Sequence, residues 1–239
     1  MKIPLLKALQ QAGLGSRRAL ATTIIQGKVT VNGTAEDNLN FLINTETDKV
    51  NIGSKTIDLS TREAIVLILN KPPGVISTTS DERGRQTVMD LLPEQYRSKN
   101  LYPVGRLDKD STGLLLLTND GNLAYKLTHP RFEHEKEYRV RIRGELAPGQ
   151  KARLEQGVEL EDGRTDPATV TRIEDDFPYT YSIIIHEGRK RQVRRMFENQ
   201  GHSVVKLHRV RIGALKLGNL AEKQVRPLTP KEIRLLLVK

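Results

Sequence analysis

Two carboxylates and two cations crowd into the run Gly105-Arg106-Leu107-Asp108-Lys109-Asp110-Ser111-Thr112-Gly113, and Leu114-Leu115-Leu116-Leu117 follows at once. Four apolar residues after a glycine read as a strand buried on both faces. Thr118-Asn119-Asp120-Gly121 reads as the turn that ends it. A charged loop is thereby anchored against the middle of a core, where charge is costly unless paired. The chemistry this suggests is a reactive carboxylate held against a basic partner in a partly dry cleft. Spacing does not choose between Asp108 and Asp110, since in an extended loop both lie on the same side as Arg106.

The elements around this loop must bring it partners. Ile65 to Leu69 reads as a buried strand that breaks at Asn70-Lys71-Pro72-Pro73-Gly74, where two prolines lack ladder donors. Ser77 to Arg85 is a polar loop carrying Asp81, Arg83 and Arg85, and Thr87 to Leu92 a short helix ending before Pro93. Asn122 to His129 reads as a helix stopped by Pro130. Glu137 to Arg143 alternates with period two. Tyr138, Val140 and Ile142 share one face, and Arg139, Arg141 and Arg143 the other, as a solvated or anion-facing edge that also discourages aggregation. Pattern alone leaves Tyr138 as either a core tyrosine or a plate for a nucleobase; base–aromatic stacking contributes about 1–3 kcal/mol. Ser182 to Ile185 is a further buried strand. It runs into His186-Glu187-Gly188-Arg189-Lys190-Arg191-Gln192-Val193-Arg194-Arg195-Met196-Phe197. A helix from Gln192 onward spaces Val193, Met196 and Phe197 for the core and sets Arg191, Arg194 and Arg195 on neighbouring turns. Val204 to Leu207 and Leu215 to Leu217 read as closing strands, and Pro230 to Leu237 as a final helix.

Residues 1–60 form a separate small module. Leu5, Leu6, Leu9 and Ala12 have helical spacing, ended by Gly13 or Gly15. Ser16 caps a second helix carrying Ala19, Leu20 and Ile24 and ended by Gly27. Lys28 to Val31 is an alternating strand entering an Asn32-Gly33 hairpin turn, and Leu39 to Ile57 supplies short strands. Arg17 and Arg18 fall in the first turn of the second helix, where the dipole disfavours cations. A phosphate at that end would reverse the sign. Asp58 to Glu63 reads as a polar linker, which sets domains of 1–60 and 61–239.

The chain of 239 residues carries 39 Lys and Arg against 29 Asp and Glu, a net charge of +10. That balance points to a polyanionic partner, nucleic acid before membrane. Residues 186–216 hold nine basic and two acidic side chains, whereas residues 1–60 hold seven and five. The excess is therefore concentrated, as expected of a binding site. Cysteine is absent, which excludes disulfides and thiolate zinc sites and suits a reducing cytoplasm. No apolar run has the length of a signal peptide or membrane span. His186, His202 and His208 lack metal-ligand spacing, and no phosphate-cradling glycine motif is present.

Four stretches together resemble the RsuA/RluB type of ribosomal RNA pseudouridine synthase. Gly105-Arg106-Leu107-Asp108 with Ser111-Thr112-Gly113-Leu114 resembles that family's catalytic loop, and this resemblance selects Asp108 over Asp110. Lys71-Pro72 with Gly74 and Ser77 resembles its first signature. Glu135 to Tyr138 is similar to its tyrosine signature, which favours the stacking plate. His186 to Phe197 resembles its last, with a hydrophobic and a basic residue lining the site, here Val193 and Arg194. The pattern from Ala12 to Gly33 resembles the RNA-binding module of ribosomal protein S4, with Pro4 and Ala21-Thr22-Thr23 as departures.

The resemblance implies an α+β fold: a small S4-like RNA-binding domain, then a synthase domain with a mixed, mainly antiparallel sheet flanked by helices around a central cleft. It implies isomerisation of a uridine in ribosomal RNA, large-subunit RNA being favoured over small, with no cofactor. Asp108 would be catalytic and paired with Arg194, since a nearby opposite charge keeps a carboxylate ionised. Tyr138, Val193, Arg194 and Arg106 would bind the substrate nucleotide, with Arg106 filling the vacated stack after base extraction. Ser16, Arg17, Arg18, Lys28, Arg189, Arg191 and Arg195 would contact RNA. A cytoplasmic monomer is expected. The rival readings are a non-catalytic RNA-binding ribosome-assembly factor and an N-glycosidase using Asp108 with Asp110.

Overall fold

The computed structural model describes residues 2–60 and 63–237. The chain divides into two compact units, Met1–Ile65 with Ser98–Asn100 and Val66–Arg97 with Leu101–Lys239. The linker expected across Asp58 to Glu63 contains Thr61 and Arg62, which lie outside the described residues.

In the first unit β1 (Lys2–Pro4) leads into α1 (Leu5–Gln11) and α2 (Arg17–Ile25). Then come β2 (Val29–Val31), β3 (Thr34–Ala35), β4 (Leu42–Asn44), β5 (Val50–Ile52) and β6 (Lys55–Thr56). β1 pairs with β4, and the others form a sheet in the order β3-β2-β5-β6. The apolar stripes of both helices close on Val29, Ile43 and Val50, each fully buried. Ser16 Oγ accepts from the Ala19 N–H at 3.2 Å, capping α2. Asn32 and Gly33, at φ 50° and 88°, make the tight turn between β2 and β3.

The second unit begins with β7 (Val66–Lys71), α3 (Glu94–Arg97), β8 (Tyr102–Val104), β9 (Thr112–Thr118), α4 (Gly121–Thr128) and β10 (Lys136–Ile142). It continues through α5 (Pro148–Gln156), β11 (Glu159–Leu160), β12 (Gly163–Arg164), β13 (Thr169–Arg172) and β14 (Tyr181–Ile185). It ends with α6 (Gln192–Asn199), β15 (Val204–Ile212), β16 (Leu215–Lys216), β17 (Val225–Pro227) and α7 (Pro230–Leu237). The main sheet runs β13-β14-β10-β15-β9-β7-β17, with β16 on β15 and β8 on β9. Its pairings are antiparallel except β15 with β9, which is parallel. The fold is thus α+β with a mixed, mainly antiparallel sheet. Leu114 to Leu117 are fully buried in β9, with Leu114 and Leu116 packed on Leu123 and Leu127 of α4 and Leu236 of α7.

Three expectations are corrected. β7 does not break at Asn70; it continues through Lys71, which pairs with Gly113 and is fully buried. β10 lies between β14 and β15 rather than at an edge, and Arg139 is paired with Glu137 and Asp176. β15 extends past Leu207 to Ile212 and lies inside the sheet. Its polar residues His208, Arg209 and Arg211 hid it, because a paired or buried cation reads in sequence as a loop charge.

Candidate active site

One ladder row crosses the floor of the second unit: Lys71 opposite Gly113, Gly113 opposite Arg209, Arg209 opposite Tyr138. Gly113 has φ 100°, and a Cβ on it would overlap the Arg209 carbonyl and crowd its N–H. Glycine is required there because the parallel junction brings β15 too close for any side chain.

The loop before Gly113 hangs from the segment after β7. Lys71 Nζ donates to the carbonyls of Pro72 (3.0 Å), Lys109 (3.1 Å) and Ser111 (2.8 Å). The Gly74 N–H reaches the Lys109 carbonyl at 2.9 Å. Ser77 Oγ accepts from the Leu107 N–H at 3.2 Å and donates to its carbonyl at 3.0 Å. Burial pushes the Lys71 amine down to about 8, against the pull of Asp110 and Asp108. The Lys-Pro-x-Gly stretch therefore has a physical role: it fixes the backbone on either side of Asp108.

The Asp108 carboxylate is about one-third exposed, and Arg194 Nε stands 3.9 Å from its Oδ2. That is an ion pair at long range, not a hydrogen bond. The Arg194 guanidinium, 6% exposed, is aimed by other partners: the Val204 carbonyl at 2.9 Å, and the Asp110 carbonyl and Ser111 Oγ, each at 3.4 Å. Burial lowers the Arg194 pKa from its ordinary value and Arg191 adds to this, while Asp108 and Asp110 oppose it. Asp108 thus feels a fixed cation without giving up its oxygens to it.

A cavity of about 570 Å³ opens over this floor, lined among others by Asp108, Tyr138, Val193, Arg106, Arg191 and Lys136. Tyr138 and Val193 are 7% and 3% exposed. Arg106 and Arg191 are exposed; Arg191, at φ 52°, is the N-cap of α6. Asp108, Tyr138, Val193 and Arg106 therefore line one cavity, whereas Arg194 is not among its lining residues and stands beside Asp108.

Other cations of the 186–216 run are engaged within the fold. Arg189, which also lines the cavity, donates to Glu187 (2.7 Å) and to the carbonyls of Gly163 (2.8 Å) and Arg164 (2.6 Å). Arg195 pairs with both oxygens of Asp162 at 2.8 and 3.0 Å. Arg211 bonds Glu135 and Glu137. Much of the local excess charge is therefore scaffold, tying α6 to the β11–β12 hairpin and β15 to β10. In the first unit Ser16, Arg17, Arg18 and Lys28 are all exposed, with Ser16 already engaged as a cap.

Sequence reasoning missed Arg209, and it placed Lys71, Ser77 and Lys136 inside family signatures without giving them a role. Arg209 is 3% exposed, lines the cavity, and donates to the Leu114 carbonyl at 2.8 Å and toward the Tyr138 hydroxyl at 3.5 Å. Lys136 had a signal, since it shares the parity of Tyr138, Val140 and Ile142. Among the described residues no three His, Asp or Glu side chains gather to hold a metal.

The family model for RNA pseudouridylate synthase matches residues 65–199. The chain is 42% identical to the ribosomal large subunit pseudouridine synthase B of Bacillus subtilis, over 96% of this chain and 93% of that protein. It is 39% identical to the enzyme of the same name from Vibrio cholerae, over 91% of this chain and 68% of that one. A crystal structure of a pseudouridylate synthase superposes with a TM-score of 0.70 at 32% identity, covering 98% of this chain and 99% of the other. The chain belongs to the RNA pseudouridylate synthase family, isomerases that convert uridine to pseudouridine within RNA.

Proposed function

We propose that this enzyme isomerises a uridine of large-subunit ribosomal RNA, with Asp108 as the catalytic carboxylate. The observation that carries the site is the meeting of Asp108, Tyr138 and Val193, from distant parts of the chain, in one cavity with Arg194 held 3.9 Å from Asp108. The substrate class rests on the relatives named for the large subunit, which match nearly the whole chain.

In the reaction the bond from ribose C1′ to uracil N1 breaks, the base turns, and C5 bonds to C1′. Tyr138 stacks on the extracted uracil and Val193 packs against it, excluding water. Arg194 keeps a positive charge beside Asp108. Arg106, exposed at the cavity, fills the stack that the uridine leaves. The N-terminal domain, taken as 1–60, serves as an S4-type RNA-binding module, with Ser16, Arg17, Arg18 and Lys28 along phosphates. Arg191, and the outer edges of Arg189 and Arg195, extend this binding in the catalytic domain, taken as 61–239. No helix among the described residues is long and apolar enough to cross a membrane; we take the enzyme to work as a cytoplasmic monomer without a cofactor.

Asp108→Asn should abolish pseudouridine formation while leaving RNA affinity within a few-fold. An active Asp108→Asn enzyme, or release of free uracil, overturns the mechanism. Mapping pseudouridines in ribosomal RNA from a deletion strain identifies the target, and a loss confined to small-subunit RNA overturns the substrate class.

A further inference from the structure

Two cations on the cavity floor have no carboxylate within ion-pair distance among the described residues. Lys136 lies two residues before Tyr138 on β10, so both side chains project from the same face of the sheet. Arg209 is the cross-strand partner of Tyr138 and sits at its hydroxyl end. Both line the cavity with Asp108. The Lys136 ammonium has three donors, and one is used, toward the His134 carbonyl at 3.0 Å. Arg209 Nη2 is buried and has no hydrogen-bond partner. The carboxylate that acts electrostatically on Lys136, Glu187, is itself bonded to Arg189 and Gln192. Burial and the charge of Arg209 push the Lys136 amine down to about 8. A half-buried amine beside a buried guanidinium, with no anion paired to either, is a costly arrangement. It is relieved when something negative enters between them and the ring, or when the amine gives up its proton.

We infer that Lys136, with Arg209 beside it, stabilises the negative charge that develops on the uracil when it separates from its ribose. This rests on the assignment of Asp108 and Tyr138 to the reacting nucleotide. When C1′–N1 breaks, the bonding pair stays with the base, which becomes an anion sharing charge among N1, O2 and O4. Asp108 meets the positive charge left on the sugar, by bonding C1′ or by holding the C2′ proton. That bond or proton is given back when C5 bonds to C1′. The C5 proton then leaves and N1 gains one, so the product is an isomer of the substrate. Donors placed at the edge of the stacked ring act on the separated base more strongly than on the neutral uridine, which is the condition for accelerating the step. A backbone phosphate is the other anion that could enter. The position beside the 7%-exposed Tyr138 ring favours the base.

The test uses leaving-group sensitivity. Single-turnover rates at saturating RNA are measured for the full-length enzyme and for Lys136→Met, on the ribosomal RNA substrate carrying uridine or 5-fluorouridine at the target. Fluorine stabilises the uracil anion, so the base needs less help to depart. Lys136→Met should slow uridine conversion by about 100-fold, as loss of one anion-stabilising donor does. It should slow consumption of 5-fluorouridine by less than about 10-fold, and Lys136→Arg should recover most of the uridine rate. Equal slowing of both substrates would show a merely structural role and overturn the inference. So would weaker RNA binding with a shallower salt dependence and a normal saturated rate, which marks a phosphate contact. Asp108→Asn is run in parallel. If it is inactive while Lys136→Met keeps its rate, only this inference fails; if it is active, the assignment of the site fails.

Discussion

Lys71 and Lys136 make an instructive pair. Each stands at an end of a central strand of one sheet, each is desolvated, and burial pushes each amine down to about 8. They differ in what the amine touches. Lys71 has all three protons on carbonyls of the fold, whereas Lys136 has one carbonyl and otherwise faces the cavity. The same cost of burial is therefore offset in two ways. Lys71 recovers it through hydrogen bonds that shape the loop around Asp108, and Lys136 leaves it unrecovered until a ligand arrives. A perturbed pKa by itself does not separate a structural lysine from one that meets substrate; the count of satisfied donors does.

The contrast can be broken by substitution. Lys71→Met strands three carbonyls and frees the loop, so it should destabilise the protein by about 3 kcal/mol in urea unfolding and reduce pseudouridine formation with it. Lys136→Met should move stability the other way, by about 1 kcal/mol at pH 7, because it removes a charge with little hydrogen bonding to lose. If both variants lose stability equally, the two sites are alike and the distinction is wrong. The smallest effect is in pH. Both amines shed their proton near 8 in the folded protein, against about 10.5 in the unfolded chain. Between those values the unfolded chain binds more protons, so wild-type stability rises with pH. The advantage of Lys136→Met should fade across that window and the deficit of Lys71→Met should widen, as denaturation midpoints at pH 7, 8.5 and 10 would register.

Elements with a clean apolar period were legible in the sequence. β9, α4, α6 and the capped α2 follow from runs of leucine, from cap residues and from helical spacing. Asp108, Tyr138, Val193 and Arg194 were singled out by their resemblance to known signatures, and the cavity shared by the first three was left for the structure to supply. What escaped notice were charged residues inside strands. Lys71, Arg209 and Arg211 look like loop residues because a single sequence does not reveal which carbonyl or carboxylate stands across the ladder. For the same reason the cation-rich run from 186 to 216 read as a binding surface. Arg189 is held by Glu187, two residues before it, and Arg195 by Asp162, a pairing that depends on a short hairpin closing over α6 and of which the sequence offers no sign.

The Gly113–Arg209 junction joins segments made far apart in time during synthesis. Val193, Arg194 and Arg209 leave the ribosome long after Asp108 does, and β15 must insert between β9 and β10 before the cavity has a floor. Pairings of such sequence separation, and parallel ones above all, are slow to form. A growing chain that has exposed only its first two-thirds therefore has its carboxylate but not the residues that complete the cavity around it.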